Sequence, residues 1–220
     1  MSLNPSANLP FSRYDYAMQR LRELALPSKI VFDVGAGDGR LSGIESFGFD
    51  WNGFDLKSSG NVQRWDLSEP CPVQAEKAAG AVLLLDVIEH CVNPGLALQN
   101  IAAATAPGGR LILTTPNARW SASRPHFLLR GTLSGFTRLD LEQNHHLFPL
   151  WPHVLEKLLG YAGFAIEEYV TLDGRTKLLG RPGNLFLPAR YALNSILLFI
   201  EALDPASRGM SCGFVARKVA

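Results

Sequence analysis

Three glycines at alternate positions, Gly35, Gly37 and Gly39, follow an apolar run that contains one acid, Asp33. Such a loop lets bare backbone N–H groups approach a ligand closely. Three ligands compete for it. A nucleoside triphosphate requires GxxxxGK[ST], and no lysine or serine follows Gly39 in that register. A dinucleotide requires GxGxxG, whereas the spacing here is GxGxG. A pyrophosphate is also an anion, and Asp33, two residues before the first glycine, opposes it. An acid at that point suits a ligand carrying an ammonium or sulfonium charge.

The elements that must position this loop alternate in type. Residues 14–26 have helical spacing and stop at Pro27. Residues 29–34 read as a buried strand, and 41–47 as a short helix. Residues 51–56 and 61–67 read as two short strands, each finishing near an aspartate, Asp55 and Asp66. Residues 79–86 form a continuous apolar run ending at Asp86, the pattern of a strand buried on both faces. Pro94 opens a helix that the Pro-Gly-Gly at 107–109 terminates, and 110–117 is another apolar strand. Strands alternating with helices predict a parallel sheet with helices on both faces, whose ligands sit at the carboxyl ends of the strands. Beyond it, 117–150 shows no clean period and reads as a lid. Residues 151–164 form an amphipathic helix, 164–170 a strand, 187–203 a helix and 209–219 a final strand.

The chain has 220 residues, 47% of them hydrophobic and 19% charged, which suits one domain with a sizeable core. A net charge of +1 gives no overall attraction to nucleic acid. Cys71, Cys91 and Cys212 are odd in number and form no CxxC pair, so neither a disulfide framework nor a zinc site of that kind is expected, and a reducing cytoplasm fits. The first residues lack a signal-peptide pattern, and no apolar run is long enough to span a bilayer.

"DVGAGDG" resembles the first motif of class I S-adenosylmethionine-dependent methyltransferases. The other pieces follow in the family's order: Asp55, Asp66-Leu67, "DVIEHCVNP", "APGGRLILTTPN" and "HHLFPLWPHVLEKLLGYAGF". The resemblance covers residues 28–170 and is greatest to the branch of ubiquinone-type O-methyltransferases. It implies a Rossmann-like α/β fold with a mostly parallel, seven-stranded twisted sheet. It implies one domain over 1–220: a cofactor core at 28–116, a lid at 117–150, and a substrate side at 151–220 with an insertion at 172–208. Two departures stand out: the stretch from Asp55 to Asp66 is short for the family's usual helix, and 172–208 has no counterpart.

The resemblance also implies roles. Gly35, Gly37 and Gly39 would approach the methionine part of S-adenosylmethionine, and Asp33 would help hold its amino group. Asp55 would accept from the ribose hydroxyls and Asp66 from the adenine amino group, with Leu56 and Leu67 as apolar walls. Asp86 would begin the edge where cofactor meets substrate. Taken singly, each aspartate near a strand end reads as a turn former or cap; their joint order favours the cofactor, and Asp38 reads as a helix-start residue. The product would be S-adenosylhomocysteine, and the acceptor a small molecule, with oxygen the favoured atom.

A hydroxyl acceptor must lose its proton, and histidine is the common agent. His90 follows the fourth strand of the motif pattern and is the first candidate; His145 and His146 come next, while His126 and His153 read as capping or solvent-facing. Asp86, Glu89 and His90 also match an E-x-x-E-H pattern through which some relatives bind a divalent ion, with Asp for the first Glu; a loop-supporting role for Glu89 is favoured over metal. Two acid-free windows are basic: 117–139 carries Arg119, Arg124, Arg130 and Arg138, and 174–200 carries Arg175, Lys177, Arg181 and Arg190. They read either as solvated surface or as a cover that recognises an anionic acceptor, chiefly through Arg119 and Arg124. The apolar stretch 191–203 packs in the core, or supplies an apolar wall or peripheral membrane contact. Methylation of protein or nucleic acid and a non-catalytic regulatory role are the alternatives; the [DN]-P-P-[YFW] signal of base methylation is absent.

Overall fold

The computed structural model describes residues 4–73, 77–173 and 187–219. In chain order its strands are β1 (Ala7–Asn8), β2 (Ile30–Val34), β3 (Asp50–Asp55), β4 (Val62–Arg64), β5 (Ala79–Leu85), β6 (Thr105–Pro116), β7 (Phe164–Leu172) and β8 (Ser211–Lys218). The α-helices are α1 (Arg13–Glu23), α2 (Pro94–Ala104), α3 (Ser123–Arg130), α4 (Arg138–Asn144), α5 (Pro152–Tyr161) and α6 (Leu187–Leu203). The strands form one sheet in the order β1-β7-β8-β6-β5-β2-β3-β4. All pairs are parallel except those of β8, which runs antiparallel to β6 and β7. The expected Rossmann-like architecture is present. Seven strands correspond to the seven expected, and the two-residue β1 extends the edge beside β7.

Both faces of the sheet are covered, and the central strand shows why its sequence is continuously apolar. Every residue of β5 is buried. Val82 and Leu84 point to the side of α2 and α5, where they join Leu98, Ile101, Leu155 and Leu159. Ala81, Leu83 and Leu85 point to the opposite side, where they join Tyr16, Ala17 and Leu21 of α1. This alternation is the period of two that a strand imposes. Val82, Leu83 and Leu84, all fully buried, each contribute roughly 1.5–3 kcal/mol.

Several local expectations change. Residues 42–47 form a 3-10 helix rather than an α-helix. The strand expected over 61–67 is shorter, because Trp65 and Leu67 turn into the core beyond Arg64. The connection between β3 and β4 carries no helix, as its length implied. Within the lid, α3 and α4 replace the expected irregular chain; α4 buries no residue, so it has no apolar stripe to read. Its start is nonetheless fixed by a capping box between Thr137 and Asp140.

Asp33, on β2, is only 4% exposed, and its Oδ2 accepts from the Trp51 indole at 3.2 Å. Burial pushes its carboxyl up to about 6, against the pull of the Trp51 hydrogen bond and with some help from Asp55. Between roughly pH 4 and 6 the native chain therefore keeps a proton that the unfolded chain has lost. The associated stability is full below that window and is lost as pH rises through it. Asp33→Asn keeps an acceptor for Trp51. It is expected to match wild type near pH 4 and to exceed it by roughly 1–3 kcal/mol at pH 7. Urea unfolding at the two pH values checks this, and an equal difference at both would refute it.

Candidate active site

The carboxyl ends of β2, β3 and β5 lie in register, with Val34 beside both Phe54 and Leu84. The Phe54 carbonyl accepts from the N–H groups of Gly35 (2.8 Å) and Ala36 (3.0 Å), which turns the glycine loop across the end of β3. Gly35 has φ +81°, and a Cβ on it would meet Val87 Cγ2 at 2.3 Å. Both constraints demand glycine. The Gly37 N–H donates to Asp55 Oδ2 at 2.9 Å, so the loop and the end of β3 are tied a second time.

A cavity of about 590 Å³ opens beside this loop. Gly35, Asp55, Leu56, Asp66, Leu67, Asp86 and His90 all line it, together with Val87 and Cys91. Asp33, Gly37 and Gly39 are not in that lining; Asp33 stands behind the loop on Trp51. The Asp66 carboxylate is held below its usual range by the backbone N–H and then the hydroxyl of Ser68, both on Oδ1. Leu56, at 62% exposed, flanks one side, and the buried Leu67 the other. An acid at each end and apolar walls between them fit an adenosine with its ribose on Asp55 and its base towards Asp66. The volume lies within the roughly 300–1,000 Å³ of small-molecule sites.

Asp86 occupies a strained position. Its φ is +54°, which only glycine adopts readily. Thr114 Oγ1 donates to its Oδ1 at 2.6 Å, and Arg13 pairs with its Oδ2. Arg13 was not anticipated from the sequence. Its one signal is electrostatic: a cation in the first turn of α1 opposes the helix dipole and needs another partner.

A second, larger cavity of about 980 Å³ lies under the lid, lined by Phe127, Leu133, Phe136, Leu147 and Trp151 on its apolar side and by His146, Arg119, Arg124 and Asp204 on its polar side. Each cavity has a histidine in its lining, and the two rings lie side by side. His90 lines the first, His146 lines the second, and their ring centroids are 4.9 Å apart. His90 Nδ1 lies 3.2 Å from the His145 carbonyl, and His146 Nδ1 lies 2.6 Å from the Gly135 carbonyl. A carbonyl only accepts, so each Nδ1 donates to it. Burial, aided by the charge of His146, pushes His90 below the usual histidine range, against its hydrogen bond to His145. His145 enters through its backbone, at φ +57°, and its side chain is exposed. His126 bonds the Thr132 carbonyl, and His153 lies against Trp151.

Glu89 is fully buried; Thr115 donates to its Oε2 at 3.1 Å, and its backbone carbonyl accepts from Leu147 N of the lid. Burial and then the Asp86 charge push its carboxyl up to about 8. Arg119 and Arg124 both pair with Asp204, an acid outside the two basic windows. Arg138 pairs with Glu142 on the exposed side of α4. Arg175, Lys177 and Arg181, and the side chain of Arg190, lie outside the described residues. Among the described residues, no helix is long and apolar enough to cross a membrane.

The chain resembles several known proteins. A family model described as a methyltransferase domain matches residues 11–169. A ubiquinone biosynthesis O-methyltransferase of Psychrobacter arcticus is 27% identical over 171 residues, 70% of this chain and 66% of that protein. A second, from Psychrobacter cryohalolentis, matches to the same extent, so the chain spans just under two thirds of the length of these relatives. Among solved structures, a SAM-dependent methyltransferase from Archaeoglobus fulgidus superposes with a TM-score of 0.64 at 17% identity, over 94% of this chain and 95% of that one. Phosphoethanolamine N-methyltransferase 2 from Haemonchus contortus, in complex with S-adenosyl-L-methionine, superposes with a TM-score of 0.55 at 16% identity, over 97% of this chain and 54% of that one. The chain belongs to the methyltransferase-domain family, as a class I S-adenosylmethionine-dependent methyltransferase.

Proposed function

We propose that this chain methylates a hydroxyl oxygen of a small acceptor with an apolar body, held under the lid. The observation that carries this reading is the His90–His146 pair, one ring lining the cofactor cavity and the other the lid cavity. S-adenosylmethionine supplies a methyl group already activated by its sulfonium. The chain binds and aligns. Asp55 accepts from the ribose hydroxyls, Asp66 from the adenine amino group, and Gly35 lets the loop close on the methionine part. Arg13, beside Asp86, meets the methionine carboxylate. With that cofactor bound, the sulfonium would serve as the leaving group of an in-line displacement by the acceptor oxygen, which these residues would align. The hydroxyl proton needs a basic partner, and the Nε2 lone pair of His90 offers one. Such alignment is worth roughly 7–11 kcal/mol.

Phe127 and Leu128, on the cavity side of α3, support the apolar body, and their exposure together with Leu129 is compatible with an acceptor taken from a lipid surface. Two guanidiniums share the single carboxylate of Asp204, which leaves excess positive charge for an anionic group on the acceptor. The free thiols Cys71, Cys91 and Cys212 favour a cytoplasmic setting.

Calorimetry is expected to show binding of S-adenosylmethionine and S-adenosylhomocysteine but not NAD. Asp55→Ala should weaken the former roughly 10–100-fold through lost charge-assisted hydrogen bonds; unchanged affinity would return Asp55 to its role of bracing Gly37. With a panel of phenolic acceptors, His90→Ala should lower kcat by roughly 10²–10⁴ while S-adenosylhomocysteine still binds. Full activity in that variant would place proton removal elsewhere. Arg119→Gln with Arg124→Gln should raise KM for carboxylated or phosphorylated acceptors over neutral ones, an effect that added salt diminishes in wild type. Equal KM values would leave the two arginines as a brace for Asp204.

A further inference from the structure

The rings of His90 and His146 have a third neighbour. One carboxylate oxygen of Glu89 and one ring nitrogen from each histidine all lie within 4.8 Å of one another. Glu89 is fully buried, Thr115 occupies its Oε2, and its Oε1 is buried without a hydrogen-bond partner. A buried carboxylate oxygen without a donor is costly unless something else meets it. Each imidazole has Nδ1 on a backbone carbonyl, the support that metal-ligating histidines usually have. Asp86, the first residue of the D-x-x-E-H pattern, is not in the cluster. Both of its oxygens are engaged, by Thr114 and Arg13.

We infer that Glu89, His90 and His146 form a divalent-metal site of zinc-like preference, completed by the lid and independent of Asp86. Two nitrogens and one oxygen are the donor set of zinc, cobalt or iron; magnesium prefers oxygen donors throughout. Bonds of roughly 2.0–2.2 Å bring donors to within about 4.2 Å of one another, so small side-chain rotations close the cluster. Three protein ligands leave a position for an acceptor oxygen. This inference rests on the reading that the acceptor hydroxyl meets the histidine pair. It replaces the bare Nε2 of His90 by a cation held on that atom as the group that promotes loss of the hydroxyl proton. Because Glu89 and His90 follow β5 whereas His146 follows α4, the ion would also fasten the lid to the sheet.

Chelator-treated full-length chain is titrated calorimetrically with zinc chloride and, separately, magnesium chloride. Wild type, Glu89→Gln, His146→Ala and Asp86→Asn are compared, with S-adenosylhomocysteine binding and thermal melting measured on the same preparations. One zinc per chain is expected, with magnesium far weaker. His146→Ala and Glu89→Gln should each lose at least roughly 10–100-fold in zinc affinity, the cost already seen when a group that merely orients a ligand is removed. Asp86→Asn should retain zinc. If Glu89→Gln melts early, His146→Ala, altered in the lid alone, decides the matter. No zinc binding, or equal zinc affinity in wild type and His146→Ala, overturns the inference. Loss in Asp86→Asn but not in His146→Ala overturns it in favour of the D-x-x-E-H set. S-adenosylhomocysteine binding separates the failures: if it persists without zinc binding, only the metal falls and His90 remains as a bare base. If it too is absent, the cofactor site itself is misassigned.

Discussion

Two hydrogen bonds to one carbonyl organise the cofactor side of the molecule. Phe54 is the penultimate residue of β3, and its carbonyl receives both Gly35 and Ala36. The Gly35 bond is the last rung of the parallel β2–β3 ladder, in which Val34 pairs with Phe54, and the Ala36 bond on the same oxygen carries that pairing one residue into the loop, where Gly35 is left-handed. Asp55 is thereby brought close enough for Gly37 to donate to it. The carboxylate proposed to accept from the ribose is thus held by the glycine loop itself. Phe54 itself is fully buried against Phe32 and Trp65, with ring centroids at 5.0 and 5.5 Å. The pin is therefore anchored in the core, and the glycine loop inherits the rigidity of the sheet.

The parts of the fold legible in the sequence are those whose burial leaves a period. β5 is apolar throughout because both its faces are covered, and 152–161 shows helical spacing with Leu155 and Leu159 buried. Helix α6 differs: over 191–203 only Leu197 and Glu201 are buried, so the core packing expected of that stretch is not what the structure shows. The lid helices were not legible because they bury almost nothing: α3 buries Ser123 and α4 no residue. Their only sequence mark is the Thr137–Asp140 capping box, which says where a helix starts but not that one is required. The pair Ala7–Asn8 has no mark at all, since its strand exists only through contacts with Val170 and Thr171, distant in sequence.

The same distinction runs through the site. Asp55, Asp66, Asp86 and His90 sit at strand ends, so the alternation of elements was enough to bring them to one edge. His146, Arg13 and Asp204 arrive by tertiary folding, from a lid, an N-terminal helix and a C-terminal turn. Arg119 and Arg124 were visible as cations; their shared partner was not, because Asp204 lies 80 residues beyond Arg124. Asn117 explains how that distance closes. Its amide donates to the carbonyls of Ala206, Arg208 and Gly209, and its N–H to that of Met210. The residue that follows β6 thereby holds the chain just before β8, and Asp204 is delivered to the lining of the larger cavity.

The connection after β5 is where these separate placements meet. Asp86 takes a left-handed backbone and is held by Thr114 of β6 and Arg13 of α1. That turn sends the following residues back towards β6, and Glu89 is buried against Thr115. The Glu89 carbonyl then accepts from Leu147, so the lid is hydrogen-bonded to the backbone of a residue whose side chain faces the core. The left-handed backbone at Asp86, burial at Glu89 and half-burial at His90 are consecutive consequences of one turn. A backbone outlier of this kind costs roughly 1–3 kcal/mol and persists only where its surroundings over-determine it. Here Thr114 of β6 and Arg13 of α1 hold it, and the product is an imidazole that lines one cavity and lies against the histidine of the other. Neither β5 nor the lid could place it there alone.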